Sequence, residues 1–361
     1  MSATRLSTYA FLLSMFYLVT SCTEKQRKQY EATPTAYGRV DNIMIVADQH
    51  NWETTMGDSI RMYFEALYPV TPQPEPILDL RHVKPQEFQA GKTLKTHRAI
   101  VILGVLNEDD PASLMVKKTL GDNNITRAEE DPNYRIAIAK DRWAKGQVVV
   151  YWFAPNRQEL LKSISRDYEK VLKVFHQADD DMLLTQVYAM GEQTDITHTI
   201  KQNFGLQLRI PKEYFLGHQD SSAVWARYET DKMSSNIFVT VLPMEEGSKM
   251  TPEIYHSLRD TLTKKYFSTW IEGSYMQIDD RYLPVYYQYM QINNLQALQA
   301  RGIWAMVNDF MGGPFVSYMI EDKANQRVIF LDGFVHAPGT KKRPKMRKLD
   351  AVFSTFKLTP S

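Results

Sequence analysis

The side chains that could do chemistry fall into a few short clusters. The one thiol, Cys22, follows Val19-Thr20-Ser21. An aliphatic residue and two small ones let a lipoprotein peptidase reach the bond before the cysteine, and the thiol can carry a diacylglycerol. Asp48-Gln49-His50-Asn51-Trp52 sets a carboxylate, an imidazole and an indole within five positions, so Asp48 and His50 could act as acid, base or ligand. Gly57-Asp58-Ser59-Ile60-Arg61 places Asp58 and Arg61 three apart, neighbours on one face of a helix. Further along, Asp279 and Asp280 are adjacent carboxylates, Met311-Gly312-Gly313-Pro314 carries a glycine pair, and Lys341 to Lys348 is the densest basic run.

Each cluster also has a plainer use. Asp48 can cap the helix that follows it, with Trp52 covering the sheet edge. Asp58 and Arg61 can form a surface ion pair worth a few tenths of a kcal/mol, or Arg61 can brace the proline segment. Asp279 and Asp280 point apart on a strand or cap a turn. The glycine pair suits a tight turn, because the lysine and hydroxyl of a P-loop do not follow it. Tyr282, Tyr286, Tyr287, Tyr289 and Trp304 could line a glycan- or peptide-binding face, although alternate residues of a strand face the core in any case. The basic run is either a solvated loop and first helical turn or a contact for anionic head groups and acidic glycans.

No G-x-S-x-G, H-E-x-x-H, P-loop or strand-following G-x-G-x-x-G occurs. The eight histidines (50, 82, 97, 176, 198, 218, 256, 336) include no i, i+4 pair to chelate a metal. We therefore expect no catalytic residue, metal or cofactor to be assigned. With 43 basic and 42 acidic residues among 361, the chain lacks the charge bias of a nucleic-acid binder. A 43% hydrophobic and 12% aromatic composition excludes a disordered or low-complexity chain.

The elements that position these clusters begin after an address. Arg5 and the apolar run Tyr9–Val19 read as a secretory signal, far short of the roughly 20 residues of a membrane span. Residues 1–21 are then removed, and 22–39 form the lipid anchor, at Cys22, and a polar tether. Apolar runs alternating with helical periods predict an α/β domain over 40–177. Its first strand, 42–47, ends just before Asp48, at the carboxyl edge where open sheets place ligands. Asp179-Asp180-Asp181 reads as a cap opening a connecting helix over 178–205, with the domain boundary within 177–206. Residues 206–361 then alternate as an antiparallel sheet flanked by helices, an α+β domain.

Asp41-Asn42-Ile43-Met44-Ile45-Val46, Trp52, Gly57 to Arg61, Pro72-Gln73-Pro74-Glu75-Pro76, Phe88 and the His97–Ile102 segment together resemble an uncharacterised lipoprotein family of Bacteroidota. That resemblance implies an envelope location and brings no activity with it. The order of Leu206–Pro211, Trp225, the Ile237 strand, the Leu258 helix and Phe353 to Leu358 is similar to PsbP-like α/β/α sandwich domains, whose members mostly bind or assemble. The expectation is an envelope lipoprotein facing the periplasm, held by lipid to a membrane, the outer in preference to the inner. It would bind a protein or glycan partner and no nucleic acid, with Asp48, His50, Trp52 and Arg61 as candidate contacts. The alternative is a periplasmic hydrolase or transferase using Asp48 and His50.

Overall fold

Runs with no polar face make strands that can only be buried on both sides. In the computed structural model, which describes residues 33–244 and 249–359, Asn42–Val46 (β1), Asp79–Val83 (β2), Ala99–Val105 (β3), Ile136–Lys140 (β4) and Val148–Ala154 (β5) form one sheet in the order β2-β1-β3-β5-β4. The expected signal segment and Cys22 lie outside the described residues. β1, β2, β3 and β5 run parallel, while β4 pairs antiparallel with β5.

Helices cover both faces. Gln49–Trp52 (α1) and Thr55–Phe64 (α2) follow β1, Pro85–Ala90 (α3) and Lys92–Lys95 (α4) follow β2, and Pro111–Leu120 (α5) and Asp122–Glu130 (α6) follow β3. Met56, Ile60 and Phe64 of α2 join Leu160, Ile164 and Phe175 of the long helix Arg157–Val187 (α7) against one face. Phe88, Val116, Leu120 and Ala128 cover the other. At Gly104 a Cβ would sit 2.6 Å from Val116 Cγ2, so the close approach of α5 to β3 requires glycine there.

The helix α7 starts where its N-cap predicts: the Asn156 side chain accepts from the Glu159 amide at 3.0 Å. It does not stop near 177. Asp179, Asp180 and Asp181 lie inside one unbroken helix instead of opening a second, because partners from outside the helix meet Asp179 and Asp180, as described below. The last turns of α7 leave the first domain and bury Leu183 and Val187 in the second. The break in the chain comes at 188–193, before Thr194–Phe204 (α8).

The second domain is an α+β unit with an antiparallel sheet. Leu206–Gln207 (β6) pairs with the terminal strand Lys357–Leu358. The main strands are Phe215–Gln219 (β7), Ala223–Thr230 (β8), Met233–Pro243 (β9), Tyr275–Ile278 (β10), Tyr286–Ile292 (β11), Leu295–Val307 (β12), Gly312–Asp322 (β13) and Arg327–His336 (β14). Their order is β10-β12-β13-β14-β9-β8-β7, with β11 also on β12. Pro252–Tyr266 (α9) packs on one face, and α8 with Arg343–Phe353 (α10) on the other. Of the tyrosines named above, Tyr282 lies before β11, which begins at Tyr286. Among the described residues no helix is long and apolar enough to cross a membrane.

Candidate functional site

The expected cluster forms at the carboxyl end of β1, and its members do not converge as a catalytic pair. Asp48 is the N-cap of α1: its Oδ1 accepts from the backbone amide of His50 at 3.0 Å. The His50 side chain is exposed. Trp52 instead meets a residue that the sequence reading missed, His82 of β2, whose ring stacks on the indole at 4.9 Å and 6°. His82 Nε2 lies 2.9 Å from the Ala47 carbonyl, which ties β2 to the end of β1. Arg61 lies over the indole at 4.6 Å and pairs with Asp58 at 2.7 Å, so it braces Trp52 and not the proline segment. The cluster is a stacked cation–indole–imidazole plug at the sheet edge.

The same edge carries a second set of charges. Arg157 grips Glu108 through two bonds of 2.6 and 2.9 Å, Asp110 caps α5, and Lys117 meets Asp109 at 2.6 Å. The hydrogen bonds that Arg157 donates to Glu108 raise its pKa, and the charges of Glu108, Asp110 and Asp48 add to this. Two cations thus pair with two of the four acids at the β1–β3 switch point, while Asp110 and Asp48 cap helices.

The densest polar cluster lies at the opposite end of the sheet, where the two domains meet. Asp41, left-handed at φ 57° and 1% exposed, donates its amide to Asp179 at 2.7 Å. Asp179 also pairs with buried Arg98. Arg343 of α10, 2% exposed, reaches across to Asp79 at 2.7 Å and to the Pro76 carbonyl. Arg347 sits 3.5 Å from Asp41 and 3.0 Å from Asp180. Thr71-Pro-Gln-Pro-Glu-Pro76, stiffened by its prolines, holds out Glu75, whose carboxylate accepts the amides of Lys342 at 2.6 Å and Arg343 at 3.0 Å. A carboxylate of one domain thus caps a helix of the other, where the helix dipole favours it.

This corrects the expectation for the basic run. Lys342 and Arg343 are buried, and Lys341, Arg343 and Arg347 are paired with Asp79, Asp41 and Asp180. The run is an internal clasp. Arg301 of β12 extends it, bonding Asp350 at 2.7 Å and the Tyr68 hydroxyl at 3.2 Å. A cleft of about 360 Å³ beside them is lined by Asp180, Arg301, Tyr318, Arg347 and Asp350. With Asp181 also in the lining, three carboxylates face two guanidiniums there, which suits cross-bracing better than trapping a free anion.

Burial sets the titration at this seam. It raises the Asp41 carboxyl against the pull of Arg347 and Arg343, and raises Asp180 likewise. It also pushes the His176 imidazole, on α7, down to about 4, with the Arg347 charge assisting. A histidine depressed in the folded state takes its proton first in the unfolded chain, so stability falls as pH drops from about 6.5 towards 4. Asp41 and Asp180 act in the opposite sense. Urea unfolding at pH 7 and pH 5 should therefore show that His176→Gln removes about 1–2 kcal/mol of the wild-type acid loss. An unchanged pH dependence would refute this role for His176.

The residues before β1 add to the ordered body. Ala36 donates to the Lys145 carbonyl at 2.9 Å and Tyr37 to that of Thr96 at 3.0 Å, pinning 34–37 along the amino ends of β3 and β5. The tether expected to run through 39 is therefore docked from residue 34 onward. The second acidic pair is also accounted for: Asp279 is held by Arg281 at 2.7 Å, while Asp280 faces His256 at 3.6 Å. Tyr286 and Tyr289 are exposed, and Tyr287 packs edge-on against Tyr255.

A search among curated proteins finds no match. Among solved structures, part of the chain is similar to the Saccharomyces cerevisiae Ran-binding protein Mog1p, at 9% identity and a TM-score of 0.29, covering 43% of this chain and 90% of that one. A point variant of Mog1 matches at the same identity and score, covering 44% and 92%. Family models divide the chain where α7 gives way to α8. Residues 36–188 match the family model DUF8532 and residues 193–355 the family model DUF4837, each described as a domain of unknown function.

Proposed function

We propose that this protein is a bacterial envelope lipoprotein: a two-domain binding or assembly body attached through acylated Cys22 and facing the periplasm. The observation that carries this reading is the charged seam. Glu75, Asp41, Asp79 and Asp180 of one half meet Arg343 and Arg347 on α10 of the other and join the domains into a single block. The lipobox at Val19–Cys22 and the similarity to a Bacteroidota lipoprotein family support the location, the outer membrane in preference to the inner. The likeness in element order to PsbP-like domains supports a binding role towards an envelope protein or glycan. The hydrolase or transferase alternative is the weaker reading, since Asp48 spends its carboxylate on a helix cap and His50 stands apart from it.

One complementation experiment addresses both readings. In a deletion strain, Cys22→Ala should lose incorporation of a clickable fatty acid and fail to restore the phenotype, whereas Asp48→Asn with His50→Gln should restore it. Equal labelling of Cys22→Ala and wild type would sink the anchoring. Full restoration would retire both the enzyme and this loop as a binding location, and failure at normal abundance would show that Asp48 or His50 serves one of the two.

A further inference from the structure

Two aromatic side chains stand almost wholly in water. Trp270 is 93% exposed, and Phe310 is as exposed as in an extended chain at 106%. Trp270 lies in the 268–274 loop between α9 and β10, and Phe310 at the tip of the 308–311 turn between β12 and β13. The two loops are neighbours: Tyr275 pairs with Val307, and Asn308 Nδ2 donates to the Gly273 carbonyl at 3.3 Å.

Both tips are built to project. Asn308 at φ 58° and Gly273 at φ 71° take the left-handed conformation that tight turns use. Thr269 and Ser274 close the first loop from within, through a 2.9 Å bond between their hydroxyls and another from the Thr269 amide. The Phe310 amide donates to Asp309 Oδ1 at 2.7 Å. An indole and a phenyl ring held out on neighbouring loops offer apolar surface of the kind that marks a membrane or protein contact.

The reach of the chain selects between these. Residues 34–37 are docked on the body, and Cys22 lies eleven residues before Thr33. That length spans at most about 40 Å, close to the diameter of a domain of about 150 residues. The bilayer holding Cys22 therefore lies within one domain's width of the body. Tryptophan and phenylalanine prefer the boundary between head groups and acyl chains. We infer that the Trp270 and Phe310 tips insert into that bilayer boundary as a second point of attachment. This rests on the lipoprotein reading above. Glu272 and Asp309 flank the tips, so the contact is apolar, indifferent to salt and in no need of anionic lipid.

The test separates the tips from native acylation. The chain from Cys22 onward, which keeps every described element, is coupled through its only thiol to a maleimide lipid in phosphatidylcholine vesicles, with or without brominated acyl chains. The Trp270 signal is taken as wild type minus Trp270→Phe. Bromine should quench it at least twofold at both low and high salt, and Phe310→Ala should remove at least half of that quenching. Both residues are exposed, so these variants should melt within a few degrees of wild type. Equal Trp270 emission in brominated and ordinary vesicles would overturn the proposal and turn the tips into a protein-docking surface. Loss of fatty-acid labelling at Cys22 in cells is a separate result that bears on the anchor alone.

Discussion

Replacing Asp332 by alanine is expected to cost about 3–5 kcal/mol, the largest effect of any single charge in the second domain. Asp332 on β14 and Arg259 on α9 are both fully buried and meet through two contacts of 3.1 Å. The Ser317 hydroxyl donates to the same carboxylate, and the guanidinium lies 3.7 Å from the Phe315 ring centroid. Taking away the carboxylate leaves a guanidinium sealed under a helix with neither water nor counterion. Arg259→Met together with Asp332→Leu should recover most of the loss, since an apolar pair of similar volume carries no desolvation cost. Denaturant midpoints of the two single variants and the double give the coupling directly. A loss below about 1 kcal/mol in Asp332→Ala would show that the pair does not organise this domain.

The second large effect belongs to the seam. Arg343→Met should destabilise the chain by about 3 kcal/mol, because it leaves buried Asp41 with Arg347 alone, Asp79 with exposed Lys341 alone, and the Pro76 carbonyl without its donor. The loss should fall on the joint between domains and not within either core, since Met346 and Leu349 on the inner face of α10 are untouched. Faster proteolysis at 188–193, with both halves surviving as resistant fragments, is the expected signature. A variant that lost stability with uniform cleavage through both sheets would place Arg343 in one core.

Much of the frame was readable from sequence because the physics was local. The apolar runs at β1, β3 and β5 each carry their signal within a few residues. The seam was not, because its members are scattered from Asp41 to Asp350, and a buried charge has the same letter as a solvated one. Asp179–Asp181 reads as a cap only until Arg98 and Arg347 arrive from elsewhere to neutralise Asp179 and Asp180 mid-helix. Likewise the Pro72–Pro76 segment is legible as stiff and extended, but not as the arm that offers Glu75 to another domain's helix. At the candidate site, the position of Asp48 after β1 was legible. His82, which completes the Trp52 stack, carried no pattern that could have marked it.

Heat unfolding of the chain from Thr23 onward, followed by calorimetry, tests the claim that the buried seam makes the two domains one body. The fused block should absorb heat in a single peak, with the calorimetric enthalpy equal to the van't Hoff enthalpy. Two resolved peaks, each with the enthalpy of one domain, would contradict it.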